Sequence, residues 1–125
     1  MNLKQEADQF LEERYGMSDF NSYQRSAAGT AIYPDQHKIT YPALGMAGEA
    51  GEVANKVKKL IRDGPDNRPD TWREDIASEI GDVLWYCAAL ASDLNLSLGM
   101  IAAQNLIKLD KRKDKGTLGG SGDIR

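Results

Sequence analysis

Gly48-Glu49-Ala50-Gly51-Glu52 and Ser78-Glu79-Ile80-Gly81-Asp82 each place two carboxylates three residues apart, in stretches whose apolar residues recur at helical spacing. On a helix such a pair lies on one face, about one turn apart. Two pairs brought together can surround a hard divalent cation with oxygen ligands.

The helical wheel carries this further. At about 100° per residue, Met46, Val53, Val57 and Leu60 form one apolar stripe, with Glu49, Glu52 and Lys56 on its flank. Ile76, Ile80, Val83, Cys87, Leu90 and Leu94 form a second, with Asp75, Glu79, Asp82 and Tyr86 on the flank of the same hand. Antiparallel packing through the stripes puts both flanks on one side of the seam; parallel packing would separate them. The short connection from Gly64 to Asp70 favours the antiparallel pair. Glu52 lies eleven residues before Asp63 and Asp82 eleven after Thr71, which predicts similar heights. Glu49, Glu52, Glu79 and Asp82 are therefore expected to converge beside one helix–helix seam. The competing reading is two ordinary solvated acidic flanks, the usual state of a lone Glu-x-x-Glu on a helix. The shared hand and height count against it.

With 125 residues the chain is long enough for one domain with a core. A net charge of −3 implies no general affinity for nucleic acid or anionic membrane. No apolar run approaches the roughly 18 residues of a membrane span. Met1-Asn2-Leu3-Lys4-Gln5-Glu6 does not read as a signal peptide, and the expected location is cytoplasmic. Cys87 is the only cysteine and His37 the only histidine. That excludes an intramolecular disulfide, a Cys/His zinc site and the Glu-x-x-His pairs of ferritin-like di-iron bundles. Cys87 falls in an apolar stripe and is expected in the core; His37 falls in a polar loop.

Helices are predicted over 3–15 (Leu3, Ala7, Phe10 and Leu11 on one face, Gly16 ending it) and over about 19–31, capped by Ser18. Pro34 to Lys38 reads as a loop. Thr40 is a candidate cap for a third helix, with Pro42 tolerated in its first turn and Gly64 just past its end at Asp63. Gly45, Gly48 and Gly51 recur within it, each costing roughly 1 kcal/mol relative to Ala. Such a run implies close approach of another backbone or a ligand, or else a loop over 43–51; no Gly-Lys-Ser/Thr follows it, so it is not a P-loop. Thr71 and Glu74 read as a capping box opening a fourth helix that ends near Leu94. Ser97 caps a fifth, about 98–113, with Leu98, Ile101, Ala102, Leu106 and Leu109 as its apolar face.

Asn105 falls inside that apolar face, where an amide needs a partner: backbone in a plain core, or a ligand. Lys108 and Arg112, near Lys111, Lys113 and Lys115, suit either a solvated helix end that complements the dipole or phosphate binding. The Gly-rich tail from Gly116 to Arg125 is of disordered composition and could order over a bound anion. No strand pattern and no internal repeat is present. The expected architecture is an all-α bundle of four to five helices in one domain, residues 1–125.

The two motifs read Glu-x-x-Glu, 26 intervening residues, then Glu-x-x-Asp. With the lead-in Tyr41-Pro42-Ala43-Leu44-Gly45-Met46-Ala47-Gly48, the run Asp82-Val83-Leu84-Trp85-Tyr86, and Asn105 before Lys108-Leu109 and Arg112, the chain resembles the MazG-like nucleoside triphosphate pyrophosphohydrolases. These form part of the all-α NTP pyrophosphatase superfamily, and the resemblance spans about 20–125. It implies hydrolysis of NTPs or dNTPs between the α and β phosphates, giving monophosphate and pyrophosphate, with Mg²⁺ or Mn²⁺ as cofactor. Matched by position, Glu49, Glu52, Glu79 and Asp82 correspond to the metal-binding carboxylates. Asn105, Lys108 and Arg112 match positions used toward substrate. Lys56 matches as an ion partner for Glu52 or a phosphate contact. The closing Gly116-x-x-x-Gly120-Ser121-Gly122-Asp123 looks like one branch of the family. A single motif set resembles the members that work as homodimers or homotetramers. Metal ions suit the bridging oxygens of a triphosphate, and a water oriented by a carboxylate such as Glu52 is the expected nucleophile. Two alternatives stand beside this: a hydrolase of another pyrophosphate-containing metabolite, and a non-enzymatic helical module whose acidic face binds a partner.

Overall fold

The computed structural model describes residues 19–124 together with Glu6, Gln9 and Glu13. Its helices are α1 (Phe20–Ala28), α2 (Thr40–Asp63), α3 (Trp72–Asp93) and α4 (Leu98–Lys115), with a 3-10 turn at Asp35–His37. No strand occurs among the described residues, and the chain is all-α. The leading helix predicted over 3–15, with Leu3, Ala7, Phe10, Leu11 and the stop at Gly16, lies outside the described residues. So does the cap at Ser18. Glu6, Gln9 and Glu13 are helical, and Gln9 Nε2 donates to the Glu13 carboxylate at 2.6 Å.

α1 is capped by Asp19, whose extended backbone lets its carboxylate accept from Ser22 N at 2.7 Å. Two polar side chains of α1 then shape the corner between α3 and α4. Asn21 Oδ1 accepts from the Ser97 hydroxyl at 2.7 Å and from Gly99 N at 2.9 Å. Gln24 accepts from Leu98 N at 2.8 Å and donates to Ser92 Oγ and to the Leu96 carbonyl. Together with the predicted Ser97 cap on Met100 N, they satisfy the first N–H groups of α4. α4 leaves α3 at 104°.

Two predicted caps are corrected. Thr71 has near-helical backbone angles and caps nothing; its hydroxyl donates instead to Asp75 Oδ2 at 3.0 Å. α2 begins at Thr40 itself, and the preceding Ile39 has φ 69° and ψ −55°. The Thr40 N–H reaches the Lys38 carbonyl at 2.7 Å, closing a three-residue γ-turn of the strained, positive-φ kind. Asp93 holds this turn, accepting from Ile39 N at 2.9 Å and from the Tyr33 hydroxyl at 2.8 Å. Burial and the Asp93 hydrogen bond push the Tyr33 phenol up to about 12.

α2 packs along α3, and α1 lies against α3 and α4. Ala27, Ala88 and Leu98 are buried together, with Tyr23, Trp85 and Cys87 packed against them. Cys87 is thus at the core as expected, and burial raises its thiol pKa. His37 is exposed in the 3-10 turn. The predicted stripes are only partly covered. Val57, Ile80 and Leu94 are exposed by 40%, 56% and 44%, and on α4 Leu106 by 63%. Asn105, placed by its wheel position on a packed face, is exposed too. The reason is geometric: once α4 turns away from α3, only Leu98 at its first turn reaches the core.

Candidate metal centre

α2 and α3 are antiparallel. Along α2 from Glu49 to Lys56, the facing residues of α3 run back from Asp82 through Glu79 to Asp75. Carboxylate oxygens of Glu49, Glu79 and Asp82 lie within 4.8 Å of one another. Lys56 Nζ stands 2.8 Å from Glu79 Oε1 and donates to the Asp75 carbonyl at 3.1 Å. The Glu79 side chain is 15% exposed, whereas Asp82 is exposed.

The charges divide unevenly. Lys56 and a hydrogen bond with Glu49 hold the Glu79 carboxyl below the usual carboxylate range. That same hydrogen bond, burial, and the negative charges of Asp82, Glu79 and Glu52 hold Glu49 above it. Glu79 in turn raises the Lys56 ammonium. The Lys56 charge offsets part of the repulsion among the crowded acids. All three converging donors are carboxylate oxygens, the chemistry that suits Mg²⁺ or Mn²⁺ rather than zinc. On donor type the cluster fits a hard divalent cation.

Three carboxylates converge, not four. Glu52 is exposed beside the group, though its charge reaches Glu49 and Lys56. The expected heights are off by about one turn. Lys56 faces Asp75, so the seven residues from Lys56 to Asp63 outrun the three from Asp75 back to Trp72. α2 therefore projects about one turn beyond the start of α3, and Asp82 meets Glu49 rather than Glu52.

An aromatic wall borders the acids. Tyr86 lies one turn past Asp82, and a Cβ at Gly45 would overlap its ring. This is the close approach expected of the glycine run, but Gly48 and Gly51 face open space. The Tyr41 ring is 6.2 Å from Tyr86 and stacks on Tyr33 at 4.7 Å. Trp85 meets Tyr86 edge-on and donates to Thr30 Oγ1 at 2.8 Å. Burial, Tyr41, and the Glu49 and Asp82 charges raise the Tyr86 phenol pKa. In the sequence the pairing of Gly45 with Tyr86 is visible only as a costly glycine in a helix.

Lys108 and Arg112 form a second group on α4. Both reach Asp123 of the tail, at 3.2 Å and 3.0 Å, and Arg112 Nη2 also donates to the Gly122 carbonyl at 3.4 Å. The tail is thus folded back on α4. Residues 37–117 match the family model of the MazG nucleotide pyrophosphohydrolase domain. The chain is also similar to the Gene 37 protein of Mycobacterium phage L5, 45% identical over 109 residues that cover 82% of this chain and 96% of that protein. No solved structure matches. The matched stretch takes in the whole of α2 and α3 with their three converging carboxylates, and the chain belongs to the MazG nucleotide pyrophosphohydrolase family.

Proposed function

We propose that residues 1–125 act as one domain that hydrolyses nucleoside triphosphates, NTP or dNTP, to monophosphate and pyrophosphate with Mg²⁺ or Mn²⁺. The observation that carries this reading is the meeting of Glu49, Glu79 and Asp82 at one seam, with Lys56 as the facing cation. Family membership supports the substrate class. Glu49, Glu79 and Asp82 would hold the cation, which when bound offsets phosphate charge and activates water. Lys56 keeps Glu79 ionised and oriented. Glu52, outside the triad, orients the attacking water. Asn105, Lys108 and Arg112 contact the substrate, the two cations countering its phosphates.

The proposed assembly is a homodimer or homotetramer. Leu44, Ile61, Ile80, Leu106 and Ile107 are exposed by 54% to 80% on α2, α3 and α4 of the single chain. In the proposed assembly a second copy covers these side chains.

A panel of nucleotides scored for pyrophosphate release tests the function. Release is expected with Mg²⁺, is abolished by excess EDTA, and falls by orders of magnitude in Asp82→Asn. Full activity in EDTA, or in Asp82→Asn, contradicts it. Release confined to a non-nucleotide pyrophosphate compound would reassign the substrate.

A further inference from the structure

We infer that the C-terminal tail is an internal competitor for anions, with the Asp123 carboxylate occupying a basic pocket on α4 that a polyphosphate can fill. The inference deepens the proposed function, since it rests on reading Lys108 and Arg112 as phosphate contacts.

Helical spacing puts Gln104, Lys108, Lys111, Arg112 and Lys115 on one face of α4, and they line a cavity of about 260 Å³ together with Asp123. Gly116, at φ 69°, ends the helix, and Thr117 N returns to the Arg112 carbonyl at 2.7 Å. Two further positive-φ positions, Gly120 at 90° and Gly122 at 81°, fold the tail back so that Asp123 reaches Lys108, fifteen residues earlier. The glycines make a strap that points one carboxylate at a basic pocket.

The fit of that carboxylate is incomplete. Arg112 is buried, 5% exposed, yet its Nε has no hydrogen-bond partner. A buried guanidinium ordinarily has its donors satisfied. Asp123 uses a single oxygen, Oδ1, for both Lys108 and Arg112. Its side chain is 77% exposed, so it is held from one side only. Lys111 and Lys115 add positive charge to the same cavity. A phosphate chain offers several oxygens and higher charge to the same donors, and Arg recognises phosphate in bidentate fashion. The Lys108–Asp123 pair is exposed on both sides and therefore weak, which favours its exchange for a more highly charged anion. The bland reading is a helix end whose cations merely complement the dipole. It leaves the buried, unpartnered Arg112 Nε without a role.

Binding of inorganic tripolyphosphate, without metal and at low salt, tests the strap by calorimetry. Asp123→Asn is expected to bind roughly three- to tenfold more tightly than wild type, and Lys108→Met more weakly. Hydrogen exchange across 117–124 should quicken when tripolyphosphate is added to the wild type, as the strap is displaced. Equal or weaker binding by Asp123→Asn, slower exchange in the tail, or no binding to either protein overturns the inference. Nucleotide turnover is read separately. Pyrophosphate release with no effect of Asp123→Asn on tripolyphosphate binding removes the strap alone. Tighter binding by Asp123→Asn without turnover removes the hydrolase alone.

Discussion

Glu79 carries two roles at the seam: its carboxylate lies in the cluster with Glu49 and Asp82, and it pairs with Lys56 at 2.8 Å. Asp82 lies in the same cluster, and among the described residues no cation pairs with its side chain. The two should respond differently to neutralisation. Asp82→Asn relieves repulsion and should leave the metal-free Tm equal or slightly higher. Glu79→Gln also removes the partner of Lys56, and should lower it by a few degrees. Both should lose activity by orders of magnitude, and Mg²⁺ with a non-hydrolysable analogue should stabilise the wild type far more than either, because ligand binding is linked to folding. Thermal melts with and without Mg²⁺ check this; a Glu79→Gln protein with wild-type metal response would remove Glu79 from the site. At this scale the sequence was informative for Glu49, Glu79 and Asp82, because one-turn spacing constrains a helix face directly. The height of Glu52 relative to Asp82 was not legible because it depends on how far α2 projects, which the wheel does not contain. The exposure of Asn105 was not legible because a face drawn on a wheel need not meet a partner.

Among elements, α2 separates two kinds of glycine. Gly45 makes room for the Tyr86 ring, whereas Gly48 and Gly51 have nothing nearby. Gly45→Ala should destabilise, since the ring must shift. Gly48→Ala and Gly51→Ala should each stabilise the isolated chain by about 0.5–1 kcal/mol through helix propensity, roughly 2–5 °C in Tm. Thermal denaturation of the three variants decides it, and destabilisation by Gly48→Ala would show that a second copy or ligand uses that surface. Helix extents were legible from periodicity, Gly64 and Ser97. The hydrogen bonds at the starts of α2 and α3 were not. Ile39 adopts its strained turn because Asp93, 54 residues away, accepts its N–H, and no local signal encodes such a partner. Thr71 differs in being local: its backbone is already near-helical, and its hydroxyl donates to Asp75 one turn on.

For the whole molecule, the exposed apolar side chains of α2, α3 and α4 predict self-association. Sedimentation at micromolar concentration should give a dimer or tetramer, and Leu106→Glu should shift it toward monomer. A fully active wild-type monomer would contradict the assembly. All-α architecture was legible because every patterned stretch had helical period. The 104° turn of α4 was not, since it is set by Asn21 and Gln24 of α1 acting on the far end of the chain.

The identity of the bond cleaved tests the central claim most directly. Phosphorus NMR of a single dNTP incubated with the protein and Mg²⁺ should show monophosphate and pyrophosphate growing in equal amounts, with no orthophosphate. Diphosphate and orthophosphate in their place would contradict α–β hydrolysis at the Glu49, Glu79 and Asp82 seam.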